Sequence, residues 1–420
     1  MFEKLPIPYG LVRSGVAPDH PKLKRAIDVY AKIAEAPEFT FFGNVTIGKD
    51  LSIDEIRSHF HALILTCGTE SDRKLNIPGE DLGGSHTATE FVGWYNGHPD
   101  YRDRTFDLSH ETAVIIGQGN VAADVGRILA KTPDELKHTD IAEHAFKVLA
   151  ESKIRNIHVI GRRGPAQAKF TSKELKEFGE LADCHTIVNP NELLLNTESS
   201  AELEEKTNAV GKKVYELFES FSAQENSSPK KKRIHFTFLK SPIRVTGNNI
   251  VEKIDLEINK LSGEPFNQSA TGTGKNIHLD TGIVFRSIGY RGLPITGVPF
   301  DDKRGIIPNN NGRVTDGATI VPYTYVAGWI KRGPTGIIGT NRADSVETVQ
   351  SLIEDFDKSS NQIQNSGAEG ARSILDAGGI HYVSFSDWKK IDQNEIDRGI
   401  KKGKPREKYT YVQEIMSILK

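Results

Sequence analysis

A glycine-rich segment, Gly117-Gln118-Gly119-Asn120-Val121-Ala122, follows an apolar run and precedes a helical pattern. In a G-x-G-x-x-A spacing the first glycine permits a tight turn and the second lets the main chain approach a pyrophosphate. The alanine lets helix and strand pack closely, and the helix amino terminus faces the anion. The segment therefore predicts a dinucleotide-binding loop, and the alternative is a plain strand-to-helix turn with chance glycines.

Two adjacent arginines, Arg162 and Arg163, follow the next apolar run at 157–160. In a dinucleotide fold this place meets the adenosine ribose, and an acidic residue there binds the 2′-hydroxyl group of NAD. Guanidinium groups instead suit a 2′-phosphate, because their planar forks match its oxygens. The pair therefore predicts NADP(H) as the cofactor, and the alternative is a solvated surface pair.

A second glycine-rich stretch, over 328–340, precedes a helix predicted from about Thr340. It indicates another anion cradle. Trp329 offers an aromatic wall for a flat cofactor ring, although a core aromatic residue is the alternative interpretation.

The amino terminus resembles the end of a second strand of a dinucleotide fold. Glu3 stands where a glutamate holds an adenosine ribose, and a Pro/Gly-rich loop over 5–15 follows it. The glycine fingerprint that belongs with such an acid lies about 20 residues upstream of it. That place falls before Met1, so we expect this fingerprint and its strand to be absent.

The composition excludes several other classes of protein. The 420 residues suffice for two or three domains, and Lys plus Arg (54) against Asp plus Glu (56) gives a net charge of −2, with no global field that selects nucleic acid or an anionic membrane. Only Cys67 and Cys184 are present, without a Cys-x-x-Cys motif, so neither a dithiol centre nor a thiolate-bound metal cluster is expected. No apolar run reaches the length of about 18 residues that a transmembrane helix needs.

The strands that must position these motifs repeatedly end in glycine and lead into helices. Strands are predicted at 62–66, 112–116, 157–160, 234–239, 280–288 and 324–327, and helices at 120–130, 133–152 and 199–221. This alternation is typical of doubly wound α/β domains. The basic run at 230–233 is interpreted as part of a solvated loop, with a nucleic-acid or nuclear-import patch as the alternative.

These motifs together resemble the adrenodoxin reductase family over essentially the whole chain. The matching segments are 117–125, 161–165, 8–13, 331–336, 384–388 and 403–408. The resemblance implies an α/β protein with two doubly wound Rossmann-like domains, of which the FAD domain is discontinuous and incomplete at its amino terminus. It implies an FAD domain over 1–73, an NADP domain over 74–291 and the rest of the FAD domain over 292–420.

The resemblance also implies an activity: electron transfer from NADPH through FAD to a small [2Fe–2S] ferredoxin. No residue is nominated as a proton donor, because direct hydride transfer needs none. The implied FAD contacts are Glu3, Leu11, Ile47, Trp329, Gly336, Ile337 and Ile338. The implied NADP contacts are Gln118, Gly119, Asn120, Val121, Arg162, Arg163, Glu174 and, shared with FAD, Gly336.

The resemblance further implies an acidic ferredoxin as the partner, received by basic residues. Lys206, Lys212 and Lys213 match that region loosely, and ordinary solvated lysines are the alternative. A monomer in the mitochondrial matrix, with at most peripheral membrane association, is expected, and a bacterial location is the alternative.

Three other interpretations stay open at this point. Because the upstream glycine loop is expected to be absent, either the start codon is misassigned or the chain is a truncated product. A truncated product would bind NADPH without flavin or catalysis. A thioredoxin-reductase-like or glutamate-synthase-like electron carrier is disfavoured, because the chain lacks the cysteine motifs of both.

Overall fold

The computed structural model describes residues 1–224, 229–336, 338–357 and 366–420. The strands are β1 (Phe2–Glu3), β2 (Phe42–Gly43), β3 (Leu63–Leu65), β4 (Ser71–Asp72), β5 (Ser85–Thr87), β6 (Thr112–Ile116), β7 (Asn156–Ile160), β8 (Cys184–Val188), β9 (Lys232–Thr237), β10 (Lys240–Thr246), β11 (Lys253–Ser262), β12 (Ser269–Asp280), β13 (Ile283–Arg286), β14 (Tyr290–Arg291), β15 (Asn309–Asn310), β16 (Arg313–Asp316) and β17 (Thr319–Val326). The helices are α1 (Gly10–Ser14), α2 (Pro21–Lys24), α3 (Ala26–Ala34), α4 (Ile53–His59), α5 (Ala88–Asn96), α6 (Asn120–Ala130), α7 (Pro133–Leu136), α8 (Glu143–Ala150), α9 (Ser172–Lys176), α10 (Thr197–Glu204), α11 (Ala209–Ser222), α12 (Trp329–Arg332), α13 (Ile338–Asp357), α14 (Gly367–Ala377), α15 (Phe385–Ile400) and α16 (Val412–Ser417).

The central part of the chain is built on a six-stranded parallel sheet in the order β5-β13-β6-β7-β9-β8. Its strand β6 is a nearly continuous apolar run because both faces of that strand are buried. Ala113 and Ile115 of β6 face a core shared with α5, α6 and α11, whereas Val114 and Ile116 face the other side. The predicted Rossmann-like sheet is therefore confirmed.

The second face of this sheet is covered by strands and not by further helices. The antiparallel sheet β10-β11-β12 places Ile254 and Leu256 of β11 against Val114 and Ile116. The alternation of apolar and polar residues along β11 fits this arrangement, since one of its faces is buried and the other is not.

The flanking parts of the chain form two smaller sheets. β1 pairs in parallel with β2, and β3 pairs in parallel with β17 at the edge of the sheet β15-β16-β17-β3. Within the described ranges no strand joins β1 to β3.

Two short strands join the central and flanking parts. β4 and β14 run side by side in antiparallel pairing, so the chain leaves and re-enters the central part at one place. Glu80 ties this crossing to β13, because its carboxylate accepts from the Leu75 N–H at 2.7 Å and lies 3.4 Å from Arg286 Nη1.

Several sequence-based element predictions differ from the structure. The helix predicted at 199–221 is two helices, α10 and α11, because a 3-10 turn at Lys206–Asn208 separates them. The strand predicted at 280–288 is shorter, since Asp280 ends the antiparallel β12 and Thr281 turns the chain into β13. The predicted helix at 133–152 is likewise divided into α7 and α8.

The interpretation of the basic run as a solvated loop is wrong for half of its residues. Lys232 and Arg233 belong to β9, and the buried Lys232 Nζ donates to the Leu129 carbonyl at 2.7 Å and to the Lys131 carbonyl at 3.2 Å. These carbonyls lie at the carboxyl end of α6, where a cation is favoured by the helix dipole. Residues 225–228 of the preceding loop lie outside the described residues.

Among the described residues, no helix combines the length and the apolar character needed to cross a bilayer.

Candidate functional site

A groove of about 1,320 Å³ runs between the central sheet and the carboxyl-terminal part of the chain. Its walls come from loops that follow strand ends, as expected for a ligand site of an open α/β sheet. The lining residues include 71–76, 116–121, 160–164, 240–242, 287–291, 302–305, 334–336 and Trp329. Both predicted phosphate-binding motifs therefore face one cavity.

The two glycines of the fingerprint have different surroundings. Gly117 has φ +129°, and a Cβ atom there would stand 2.1 Å from the Ser287 carbonyl oxygen, so only glycine fits. Gly119 precedes the first residue of α6, and a Cβ atom there would meet no protein atom within 4 Å. The first glycine thus shapes the turn, and the second leaves the groove open in front of the helix amino terminus.

The other residues of this loop are held by β9 and by the segment 169–171. The Gln118 side chain donates to the Thr237 carbonyl at 3.0 Å, and its main-chain carbonyl accepts from the Lys169 N–H at 2.8 Å. Asn120 Oδ1 accepts from the Thr171 N–H at 2.8 Å, and Val121 packs partly buried against the core. All four predicted contacts line the groove, and their role as NADP contacts stays a prediction.

The arginine pair lies on the turn after β7. Arg162 is exposed, Arg163 is half-buried, and both line the groove. Burial and the neighbouring Arg162 lower the pKa of Arg163. The nearby Lys240 donates to Glu192 at 2.6 Å and is therefore already paired. The two guanidinium groups are available to an anion in the groove.

At the opposite wall, Trp329 stacks on Tyr290, with ring centroids 5.7 Å apart. The indole N–H of Trp329 is buried and has no hydrogen-bond partner among the residues that the structure describes. Gly336 also lines the groove, with φ +83°. Ile337 lies outside the described residues, and Ile338 is the first residue of α13.

Ion pairs hold the short helix α12, which carries Trp329, in place. Lys331 is buried and lies 3.0 Å from Asp344 and 2.6 Å from Glu347, both on α13. Lys331 of the glycine-rich motif therefore holds α12 to α13 and does not line the groove.

The three other predicted FAD contacts lie apart from this groove. Glu3 ends β1, and its carboxylate accepts from the Leu5 N–H at 3.1 Å; burial raises its pKa. Leu11 is 54% exposed on α1, and Ile47 packs partly buried between two apolar clusters. The structure does not bring these residues to the lining of the groove, and their role stays a prediction.

Glu174, a predicted NADP contact, is buried in an ion cluster and does not line the groove. Arg127, 1% exposed, is the centre of this cluster. It contacts Asp19 at 2.6 Å, Asp124 at 2.6 Å and Glu174 at 3.2 Å. The role of Glu174 toward NADP stays a prediction, and its observed partner is Arg127.

The carboxylates of this cluster titrate differently. Burial raises the pKa of Asp124 to about 6 and outweighs the attraction of Arg127. Burial also acts on Asp19, but there Arg127 outweighs it and lowers the pKa. His20 Nε2 donates to the Glu177 carboxylate at 2.7 Å, and this contact raises the pKa of His20 against the effect of burial.

Sequence reasoning missed this cluster, although one signal was present. Asp124 and Arg127 stand three positions apart on α6, a spacing that places them on one helix face. Their partners Asp19 and His20 come from a segment far away in sequence, which the pattern along α6 does not indicate.

The three lysines proposed to meet a partner are exposed. Lys206 lies on the 3-10 turn, and Lys212 and Lys213 lie on α11. They do not line the groove, and their role toward a partner stays a prediction.

Comparison with known proteins places this geometry in context. The chain is 41% identical over 99% of its length to the mitochondrial NADPH:adrenodoxin oxidoreductase of Arabidopsis thaliana, of which it covers 89%. It is 43% identical over its full length to the NADPH-ferredoxin reductase FprA of Mycobacterium leprae, of which it covers 91%. The structure of Mycobacterium tuberculosis FprA in complex with NADPH is similar with a TM-score of 0.93, 42% identity, and coverage of 100% of this chain and 91% of that one. No family model matches the sequence.

Proposed function

The chain belongs to the family of NADPH:adrenodoxin oxidoreductases and NADPH-ferredoxin reductases, and from this premise we propose that it transfers electrons from NADPH to a small ferredoxin, with FAD as its resident cofactor. One observation carries the proposal: Arg162 and Arg163 share a groove with the fingerprint loop at the amino terminus of α6. A pyrophosphate at that helix end leaves a 2′-phosphate to the arginines.

The residues of the opposite wall suit a flavin. Trp329 and Tyr290 form a stacked aromatic surface, and the buried indole N–H has no acceptor within the described part of the chain. FAD supplies the conversion between a two-electron hydride donor and a one-electron iron–sulfur acceptor. We assign Glu3, Leu11, Ile47, Trp329 and Gly336 to FAD, together with Ile337 and Ile338.

On the NADP side we assign Gln118, Gly119, Asn120, Val121, Arg162, Arg163, Glu174 and Gly336. The domain boundaries at 73/74 and 291/292 belong to this proposal. They are supported by the β4–β14 pair, which lies at both of them.

For the partner we propose an acidic [2Fe–2S] ferredoxin that meets a monomer of this chain at Lys206, Lys212 and Lys213. These exposed cations would speed encounter with an acidic protein, and salt would weaken the effect. We also propose a mitochondrial location, which the name of the Arabidopsis relative supports, although the mycobacterial relatives are as similar. Fluorescence microscopy of the tagged full gene product tests the location.

Reduction of a [2Fe–2S] ferredoxin, followed by its visible absorbance under anaerobic conditions, tests the function. With FAD added, we expect reduction with NADPH to be much faster than with NADH and to slow as ionic strength rises. The double variant Lys212→Ala/Lys213→Ala should flatten the salt dependence, whereas the exposed Lys275→Ala on β12 should not. Equal rates with both cofactors would contradict the assignment of the arginine pair, and equal salt dependence in all variants would contradict the docking site.

A further inference from the structure

The turn that carries the arginine pair is held by its own main-chain carbonyls. The Gly161 carbonyl accepts from the Lys240 N–H at 3.0 Å, and the Arg163 carbonyl accepts from the Leu239 N–H at 3.0 Å. Between them, the Arg162 carbonyl accepts from Asn259 Nδ2 at 2.8 Å. Three successive carbonyls are thus bound from one side by β11 and by the segment that begins β10.

Of these three hydrogen bonds, only the one from Asn259 is donated by a side chain. It is 5% exposed on β11, where the pairing of β11 with β12 shifts register. Its second amide hydrogen is used as well, because Nδ2 also lies 2.8 Å from Ser241 Oγ. The Asn259 main-chain N–H donates to the Leu239 carbonyl at 2.8 Å, which fixes the residue that binds Arg163.

The two acceptors of this amide both belong to the groove, whereas Asn259 does not line it. Arg162 and Ser241 are groove residues. Because Ser241 Oγ accepts from Asn259, its own hydroxyl proton is left to point elsewhere. One buried amide therefore links the arginine turn to the hydroxyl group of a second residue that lines the same pocket.

We infer that Asn259 is a positioning residue that sets the preference for NADPH over NADH, by holding the Arg162 main chain and Ser241 around the 2′-phosphate. This inference rests on the proposed function, since it deepens the assignment of Arg162 and Arg163. The two guanidinium groups repel each other, so the turn needs an external hold to present both of them to one phosphate. A cofactor without that phosphate does not use the arrangement.

The test is the affinity of the purified chain for NADP⁺ and NAD⁺, measured by isothermal titration calorimetry. Loss of hydrogen bonds of this kind typically changes an equilibrium by about 5- to 10-fold. We expect Asn259→Ala to raise the Kd for NADP⁺ by about that factor and to leave the Kd for NAD⁺ within about twofold. Asn276→Ala, an exposed asparagine on the neighbouring β12, is the matched control and should change neither.

Asn259→Asp keeps the side-chain shape and serves if the alanine variant folds poorly. Its carboxylate cannot donate to the Arg162 carbonyl and repels a phosphate, so we expect a larger rise in the Kd for NADP⁺, again with little change for NAD⁺. Equal rises for both cofactors would mean that Asn259 supports only the fold, and this would overturn the inference.

A double-mutant cycle with Arg162→Ala separates this inference from the proposed function. If Asn259 acts through Arg162, its replacement should add little once the guanidinium is gone. Full additivity, with Ser241→Ala also without effect, would overturn the positioning role. If Arg162→Ala and Arg163→Ala leave the Kd for NADP⁺ unchanged, the 2′-phosphate assignment itself fails.

Discussion

At the residue scale, we expect the arginine pair to decide which nicotinamide cofactor the groove takes. Each charge-assisted hydrogen bond is worth about 1.5–3 kcal/mol, so Arg162→Ala or Arg163→Ala should weaken NADPH binding by about 10- to 100-fold. NADH binding should change much less, because it lacks the 2′-phosphate. Arg244→Ala, an exposed arginine on β10, is the control. An unchanged ratio of NADPH to NADH affinity would refute the assignment.

The buried Asp124 gives a pH dependence whose sign follows from its raised pKa. The carboxyl is protonated more readily in the folded than in the unfolded chain, so its contribution to stability is present below about pH 4 and lost as pH rises through about 6. Urea unfolding of Asp124→Asn and wild type between pH 4 and 7.5 should show wild type losing up to about 3 kcal/mol relative to the variant.

The groups that face Asp124 remain in the variant and act in both directions. Arg127, Asp19, Glu174 and His20 surround it. The lowered pKa of Asp19 contributes stability that is lost at low pH, and the raised pKa of His20 contributes stability that is lost at high pH. Parallel stability profiles for the two proteins would contradict the prediction.

Local motifs of the site could be predicted from the sequence, and contacts between distant segments could not. The fingerprint and the arginine pair are contiguous and follow strands, so their neighbourhood in a parallel sheet follows from the pattern alone. The ion cluster at Arg127 joins Asp19 to α6, and no periodicity along either segment reports that meeting. Glu174 is predicted to meet NADP, a role that stays a prediction, and in the structure its carboxylate lies 3.2 Å from Arg127 and 3.6 Å from His20.

At the element scale, the turn between β6 and α6 combines two glycines with different tasks. Gly117→Ala should destabilise the fold by several kcal/mol, because φ is +129° and the new Cβ atom would collide with the Ser287 carbonyl. Gly119→Ala should leave the melting temperature nearly unchanged and weaken NADP⁺ binding at least about 10-fold, since its methyl group enters the open groove.

Thermal unfolding and calorimetric titration of both variants measure this contrast. The prediction fails if Gly119→Ala binds NADP⁺ normally or if Gly117→Ala keeps the wild-type melting temperature. The sequence pattern predicts both roles, the tight turn at Gly117 and the open approach at Gly119. Only the structure shows that the Ser287 carbonyl oxygen excludes a side chain at Gly117.

Element boundaries were less predictable than the elements themselves. α6 matches its predicted range of 120–130, whereas the helix predicted over 199–221 is broken at Lys206–Asn208. Thr207 and Asn208 in the break have low helical propensity, and a local contact stabilises the turn, because the Asn208 side chain donates to the Glu202 carbonyl at 2.8 Å. Lys232 looked like a loop cation, but the carbonyls at the end of α6 bind it.

At the scale of the whole molecule, one carboxylate joins three distant parts of the chain. Asp140 lies 2.7 Å from Lys24 and 3.0 Å from Lys408, and all three side chains are largely buried. Burial opposes the charged form of Asp140, but the two ammonium groups outweigh it and hold its pKa well below the usual range. The same burial lowers the pKa of Lys408.

Asp140→Asn should therefore lower the free energy of unfolding by about 3 kcal/mol, because it leaves two buried ammonium groups without a counter-charge. The matched control is Asp134→Asn, whose exposed pair with Lys137 should contribute little to stability. Chemical unfolding at pH 7 compares them. Equal, small effects of both variants would show that the buried pair does not stabilise the assembly of the three parts.

One measurement tests whether this chain passes electrons from NADPH through FAD to a ferredoxin. It is the anaerobic visible spectrum of the purified chain mixed with FAD. We expect a protein-bound flavin spectrum that bleaches on addition of NADPH and returns when an oxidised [2Fe–2S] ferredoxin is added. A chain that binds NADPH but holds no flavin, or a reduced flavin that ferredoxin does not reoxidise, would contradict it.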